Sequence, residues 1–276
     1  MKTKIVLRIV LVICIVFAGI FGGLLARELI IDRQSREFFS DLASDVERRI
    51  GNTGEPGTHG LKNPDGSENP DGSVDPDDIG GSGDTEAGWI SYVDFDELNN
   101  DFPGIVGWIK LEGSIMDYPV MQYSDNDHFL TRLPDGTSHR NGSIFLDYRN
   151  ERDFSDKSIL IYGHETRTGD MFGVLKRYRE QDFFDNNPVI NLYTPYEDII
   201  IEIFAVNLAH SQRDHPPLDF DDDDDFLDYI ERLKRMSFIR SNIEVKPDDR
   251  IISLCTCAYD FNDARLVIVG ILSEIN

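Results

Sequence analysis

At 276 residues and 40% hydrophobic content, the chain has material for one globular core plus attachments. A formal charge of -24, from 51 acidic against 27 basic residues, excludes nucleic acid as a partner, because phosphate binding needs a basic face. Of the three cysteines, Cys14 lies in an apolar segment and Cys255 and Cys257 stand two apart, so no disulfide framework is indicated.

Residues 1–8 carry Lys2, Lys4 and Arg8, and residues 9–26 follow without a charge. That run is long enough to span a bilayer. A cleaved secretory signal is the rival reading, but Leu24-Leu25-Ala26 is a poor cleavage site. Basic residues ahead of the span place the N-terminus in the cytoplasm and the rest outside, although Arg27, Arg33 and Arg36 soften the asymmetry.

Across residues 27–50, Leu29, Ile30, Phe38, Phe39, Leu42, Val46 and Ile50 recur at helical spacing among charges. This predicts an amphipathic helix continuing from the membrane, a stalk or a helix packed on the domain rather than one lying on the lipid surface. Residues 51–88 hold ten Gly, four Pro and nine acidic residues, and Asn63-Pro-Asp-Gly-Ser recurs as Asn69-Pro-Asp-Gly-Ser. Such a segment buries too little to offset its ordering entropy, and is expected to be a disordered acidic tether. Its Asp-x-Asp spacing lacks the closing Glu of a calcium loop.

Residues 89–276 suit a single domain. A short helix is predicted over 94–102, stopped by Pro103. Strands are predicted over 105–111, 115–122, 143–148, 158–162, 189–194 and 199–208, then over the apolar runs 250–257 and 265–272. Helical pieces fall at 125–132, 171–179 and 222–239. Eight strands separated mostly by turns predict a mainly β, mainly antiparallel barrel or sandwich with peripheral helices. The last helix opens on Asp219 and Asp221 to Asp225, with Asp228 beyond. A solvated cap at the positive end of the helix dipole explains several of these carboxylates; a weak cation site is the alternative.

The final two strands form a hairpin across a seven-residue loop. Antiparallel pairing sets Cys257, ending one strand, beside Arg265, starting the next. A cysteine attacks only as thiolate, which needs a nearby base or positive charge. Among six histidines, His164 stands out. It ends Ser158-Ile-Leu-Ile-Tyr-Gly-His164, after Gly163, which permits a sharp turn. Taken alone, His164 reads first as a structural residue.

Together these residues match a family. Ser253-Leu-Cys-Thr-Cys257 is similar to the Thr-Leu-x-Thr-Cys signature of the sortases, and Tyr162-Gly-His164 with Met171-Phe-Gly resembles their histidine motif. Asp101-Phe-Pro-Gly-Ile-Val-Gly-Trp-Ile-Lys110, Asp117-Tyr-Pro-Val-Met-Gln122, Asp125-Asn126 with Phe129-Leu130, and Gly142-Ser-Ile-Phe-Leu-Asp147 resemble landmarks of class B. The resemblance covers residues 90–272. Ser253 replaces the usual Thr, keeping the hydroxyl, and Cys255 fills the variable position, setting two thiols on one face of the strand.

The resemblance implies an eight-stranded sortase-type barrel outside the cell membrane, on the cell-wall side. The enzyme would cleave an (N/S)PxT-type sorting signal of a secreted protein after Thr and transfer the acyl group to a peptidoglycan or cell-wall amine. It implies Cys257 as nucleophile, His164 as acid and base, and Arg265 as oxyanion or backbone donor, with no cofactor and no metal. Asn126, Leu130 and Ser253 are carried over as substrate-binding residues; a helix cap explains Asn126 equally well, and a core contact Leu130. A protease using water as acceptor, or an inactive surface-binding module, are the alternatives.

Overall fold

The computed structural model describes residues 2–52, 93–166, 168–210, 213–257 and 263–274. Most of the expected acidic tether and most of the loop between the last two strands lie outside the described residues.

Alternating and continuous β-branched runs close on themselves as an eight-stranded barrel, confirming the expected architecture. The strands are β1 (Ile105–Lys110), β2 (Asp117–Met121), β3 (Ile144–Leu146), β4 (Ser158–Tyr162), β5 (Val189–Tyr193), β6 (Asp198–His210), β7 (Ile251–Cys257) and β8 (Ala264–Glu274). Their order around the barrel is β1-β2-β3-β4-β7-β8-β6-β5, with β5 closing on β1. Pairing is mainly antiparallel; β2 with β3 and β4 with β7 are parallel. The parallel β4–β7 pair brings the ends of both strands to one end of the barrel.

Side-chain alternation sorts the apolar residues into layers. Ile109, Val120, Ile161, Leu192, Ile201, Leu254 and Ile268 fill the interior. On one outer face Phe204, Val267, Val269 and Cys255 pack beneath Phe226, Tyr229 and Ile230 of α4 (Asp223–Met236). On another, Trp108 and Met121 pack with Leu42, Val46, Val93, Phe95 and Leu98. These last belong to α1 (Lys2–Asn52) and to α2 (Phe95–Asp101) with the residue pair before it. The Asp run behaves as a cap: Asp222 accepts from the Asp225 amide at 2.9 Å, and among the described residues no acidic, His or Cys cluster could hold a metal ion.

The expected apolar span and amphipathic stretch are one continuous helix. Phe39, Leu42 and Val46 face the barrel and are buried, Phe39 meeting the Tyr118 ring edge-on at 5.1 Å. Arg36 forms a two-pronged bond to Asp170, 2.8 Å for each prong. The helix is therefore packed on the domain, the second of the two expected arrangements. Because Leu42 and Val46 share a cluster with Val93, Phe95 and Leu98, the intervening residues 53–92 begin and end on one body.

One local expectation is corrected, and the helical piece expected at 171–179 is present as a 3₁₀ helix. Residues 125–132 form turns, not a helix; Asp125 caps the Asp127 and His128 amides, each at 2.8 Å, and no regular helical ladder follows. Residues 172–179 form a 3₁₀ helix (Phe172–Arg179), leading into a short α3 (Gln181–Asn186) that periodicity did not suggest.

Candidate active site

The register of the final hairpin places the Cα of Cys257 opposite that of Arg265, as the alternation predicted. The Cys257 side chain lies outside the described part of the structure. Arg265 is half-buried, its Nη1 donating to the Ala264 carbonyl at 3.0 Å, and among the described residues it forms no ion pair. Its planar set of donors therefore retains capacity for another oxygen.

The end of β4 is tied to β7, because the Gly163 amide donates to the Cys255 carbonyl at 3.1 Å. His164 thus stands at the same barrel end as Cys257. Gly163 is required by crowding, a correction to the sharp turn expected there. A Cβ would fall 2.4 Å from Ile144 Cδ1 and 2.7 Å from the Phe172 ring, and the backbone stays out of the left-handed region. His164 Nε2 donates to the Leu130 carbonyl at 2.8 Å. A carbonyl only accepts, so Nε2 carries a hydrogen in this bond, which orients the ring.

Two thiols were expected on one face of β7, and the structure accounts for Cys255. It is buried among the apolar residues beneath α4. Burial pushes its thiol up to about 12, outweighing the opposing pull of Arg265. Cys255 is a packing residue.

The remaining carried-over residues divide. Leu130 is partly exposed and supplies the carbonyl that holds His164. Asn126 uses both ends of its amide, donating to Asp147 Oδ2 and accepting from the Tyr148 amide, each at 3.0 Å, so it ties two loops and caps no helix. Ser253 is completely buried, its hydroxyl without a hydrogen-bond partner among the described residues. It lies one alternation behind Cys255 on β7.

Spacing in sequence did not disclose a polar hub centred on Asp147. This buried carboxylate accepts from Arg149 Nε and Nη2 at 2.9 and 2.8 Å, from Asn126, and from the Tyr162 hydroxyl at 2.9 Å. Burial alone would raise the carboxyl, but the bonds from Arg149, Asn126 and Tyr162 outweigh it and hold it at about 2. Tyr162, whose phenol is raised by burial, keeps its proton and donates a hydrogen bond to Asp147. His215 Nε2 lies 2.9 Å from the same hydroxyl, and its Nδ1 2.9 Å from the Pro216 carbonyl. Since Tyr162 pairs with Cys255 and lies two residues before His164, the hub fixes the wall beneath the candidate site.

The folded Asp147 titrates below an unfolded Asp, so its stabilisation, about 2 kcal/mol, is complete above about pH 5 and lost as pH falls toward about 2. Asp147→Asn is expected to destabilise the protein by about 3 kcal/mol at neutral pH, leaving Arg149 without its carboxylate. Urea unfolding at about pH 7 and about pH 3 checks this: the gap between wild type and variant narrows in acid. A gap of equal size at both pH values would contradict the hub.

Comparison with known proteins gives a consistent result. No model of a protein family matches the chain. It is 37% identical to sortase B of Listeria monocytogenes over 179 residues, covering 64% of this chain and 72% of that protein. With sortase B of Staphylococcus aureus it is 32% identical over 187 residues, 67% of this chain and 75% of that one. Among solved structures, a Staphylococcus aureus sortase B–substrate complex superposes with a TM-score of 0.70 at 25% identity, over 90% of this chain and all of that one. Sortase B from Bacillus anthracis superposes with a TM-score of 0.61 at 31% identity, over 66% of this chain and 84% of that one.

Proposed function

The chain belongs to the sortase B family of cysteine transpeptidases, and from that premise we propose that it is a membrane-anchored enzyme that cleaves an (N/S)PxT-type sorting signal after Thr and transfers the acyl group to a cell-wall amine. The observation that carries this reading is the register of Cys257 against Arg265 at the barrel end where His164 stands. Cys257 passes its thiol proton to His164, and the resulting thiolate attacks the Thr carbonyl while Arg265 donates to the developing oxyanion. The C–N bond breaks as His164 gives a proton to the leaving amine, and a thioester remains. An incoming amine, deprotonated by His164, then attacks the thioester and expels the thiolate. Asn126 and Leu130 border the groove, with the Asp147 hub behind them.

The apolar N-terminal run supports a single-pass anchor with the barrel on the cell-wall side: a window of the helix has mean hydropathy 2.0 and none of it is buried. Incubating the protein with a fluorogenic Ser-Pro-x-Thr-type or Asn-Pro-x-Thr-type peptide, with and without an oligoglycine or diamino-acid nucleophile, tests transfer. The expected result is a ligated product that replaces hydrolysed peptide as amine rises. A product distribution that ignores the amine would sink transfer and leave a protease with water as acceptor.

A further inference from the structure

We infer that α1 is a rigid strut holding the active-site end of the barrel against the bilayer surface; the inference rests on the membrane-anchored reading above. The first contacts α1 makes after its apolar run are all with loops that bear on His164. Glu28 and Asp32 bind Arg140, and the Ile31 carbonyl meets His139 Nε2 at 3.0 Å. His139 and Arg140 sit in the loop that follows Leu130, whose carbonyl holds His164, and the Gly142 amide donates back to the His139 carbonyl at 3.1 Å. One turn further along, Arg36 grips Asp170. Asp170 closes the loop that leaves His164, where the Phe172 amide returns to the His164 carbonyl at 3.1 Å.

Ile31 is five residues beyond Ala26, about 7.5 Å of helix rise. That is roughly the depth of one headgroup layer beyond the hydrocarbon. The barrel therefore begins where the bilayer ends, with its active-site end nearest the lipid. A second observation agrees. On the side of α1 that the barrel leaves uncovered, Leu29 and Ile30 are 57% and 58% exposed, beside the very residues that bind the barrel. Apolar side chains at that level, flanked by exposed Arg27 and Arg33, fit immersion in a bilayer interface.

The acidic segment then does not set the height of the site. Its two flanks pack in one cluster, so its length can change without moving the barrel on its strut.

The test uses the full chain in phosphatidylcholine vesicles containing a nitroxide-headgroup lipid. Cys14→Ser and Cys257→Ala remove competing thiols, Cys255 being buried. A bimane probe is attached at Thr137→Cys, in the loop beside His139, or at Asp248→Cys, in the turn before β7 at the opposite end of the barrel. Quenching is expected to be at least threefold stronger at position 137 than at 248, and the ratio unchanged when residues 61–80 are removed. Equal quenching at both positions, or a ratio that collapses on the deletion, would overturn the strut. Flotation of the same vesicles separates the two readings. A chain that fails to float sinks the anchor and the strut together, whereas a floating chain with equal quenching sinks the strut alone.

Discussion

Cys257→Ala is expected to lower kcat/KM for sorting-peptide cleavage by at least about a thousandfold, the scale seen when a covalent nucleophile is removed. Cys255→Ala is expected to stay within about fivefold of wild type at a temperature where both are folded. The asymmetry follows from environment. Cys255 lies beneath α4 among Phe226, Tyr229 and Val267, and its thiol is pushed up to about 12. Such a raised thiol stays protonated at neutral pH and is no nucleophile. Truncating it removes one small buried group and costs about 1 kcal/mol of stability, which thermal unfolding reads separately from rate. A Cys255→Ala variant that is folded yet as inactive as Cys257→Ala would move the nucleophile one alternation back along β7.

Arg265→Ala is expected to lower kcat by about a hundredfold to a thousandfold with little change in KM, the usual loss when an oxyanion donor is removed. The residue faces Cys257 across the hairpin and forms no ion pair among the described residues, so its charge remains available to the developing oxyanion. Arg265→Lys separates charge from geometry. A lysine keeps the charge but not the planar fork, and is expected to recover no more than about a tenth of wild-type activity. Steady-state kinetics with saturating amine checks both variants. Full activity in Arg265→Lys would show that the positive charge alone suffices, and full activity in Arg265→Ala would remove the residue from the chemistry.

Much of this architecture is legible in the sequence because strands and hairpins are written locally. Alternating β-branched runs and short turn signals gave the eight strands within a few residues, and counting across the last loop placed Cys257 against Arg265. Residues 125–132 misled for a local reason as well. Asp125 caps two amides as a helix N-cap would, and whether a helix follows depends on contacts that Asn126 and Leu130 make elsewhere.

Long-range associations were less legible. Asp147, Tyr162 and His215 are separated by 15 and 53 positions, and only barrel closure gathers them. His215 read as one polar residue in a polar segment. Ser253 matched a motif position, yet motif matching does not tell which face of β7 lies beneath α4.

The account turns on one bond, between the Cys257 sulfur and the carbonyl carbon of the signal's Thr. Intact and peptide-level mass spectrometry of the wild-type protein, quenched in acid after mixing with a Ser-Pro-x-Thr-type or Asn-Pro-x-Thr-type peptide without amine, reads that bond directly. The account predicts an adduct with the mass of the peptide's N-terminal fragment less water, located on Cys257 and discharged by added amine. Cleaved peptide with no adduct on Cys257, or an adduct located on Cys255, would contradict it.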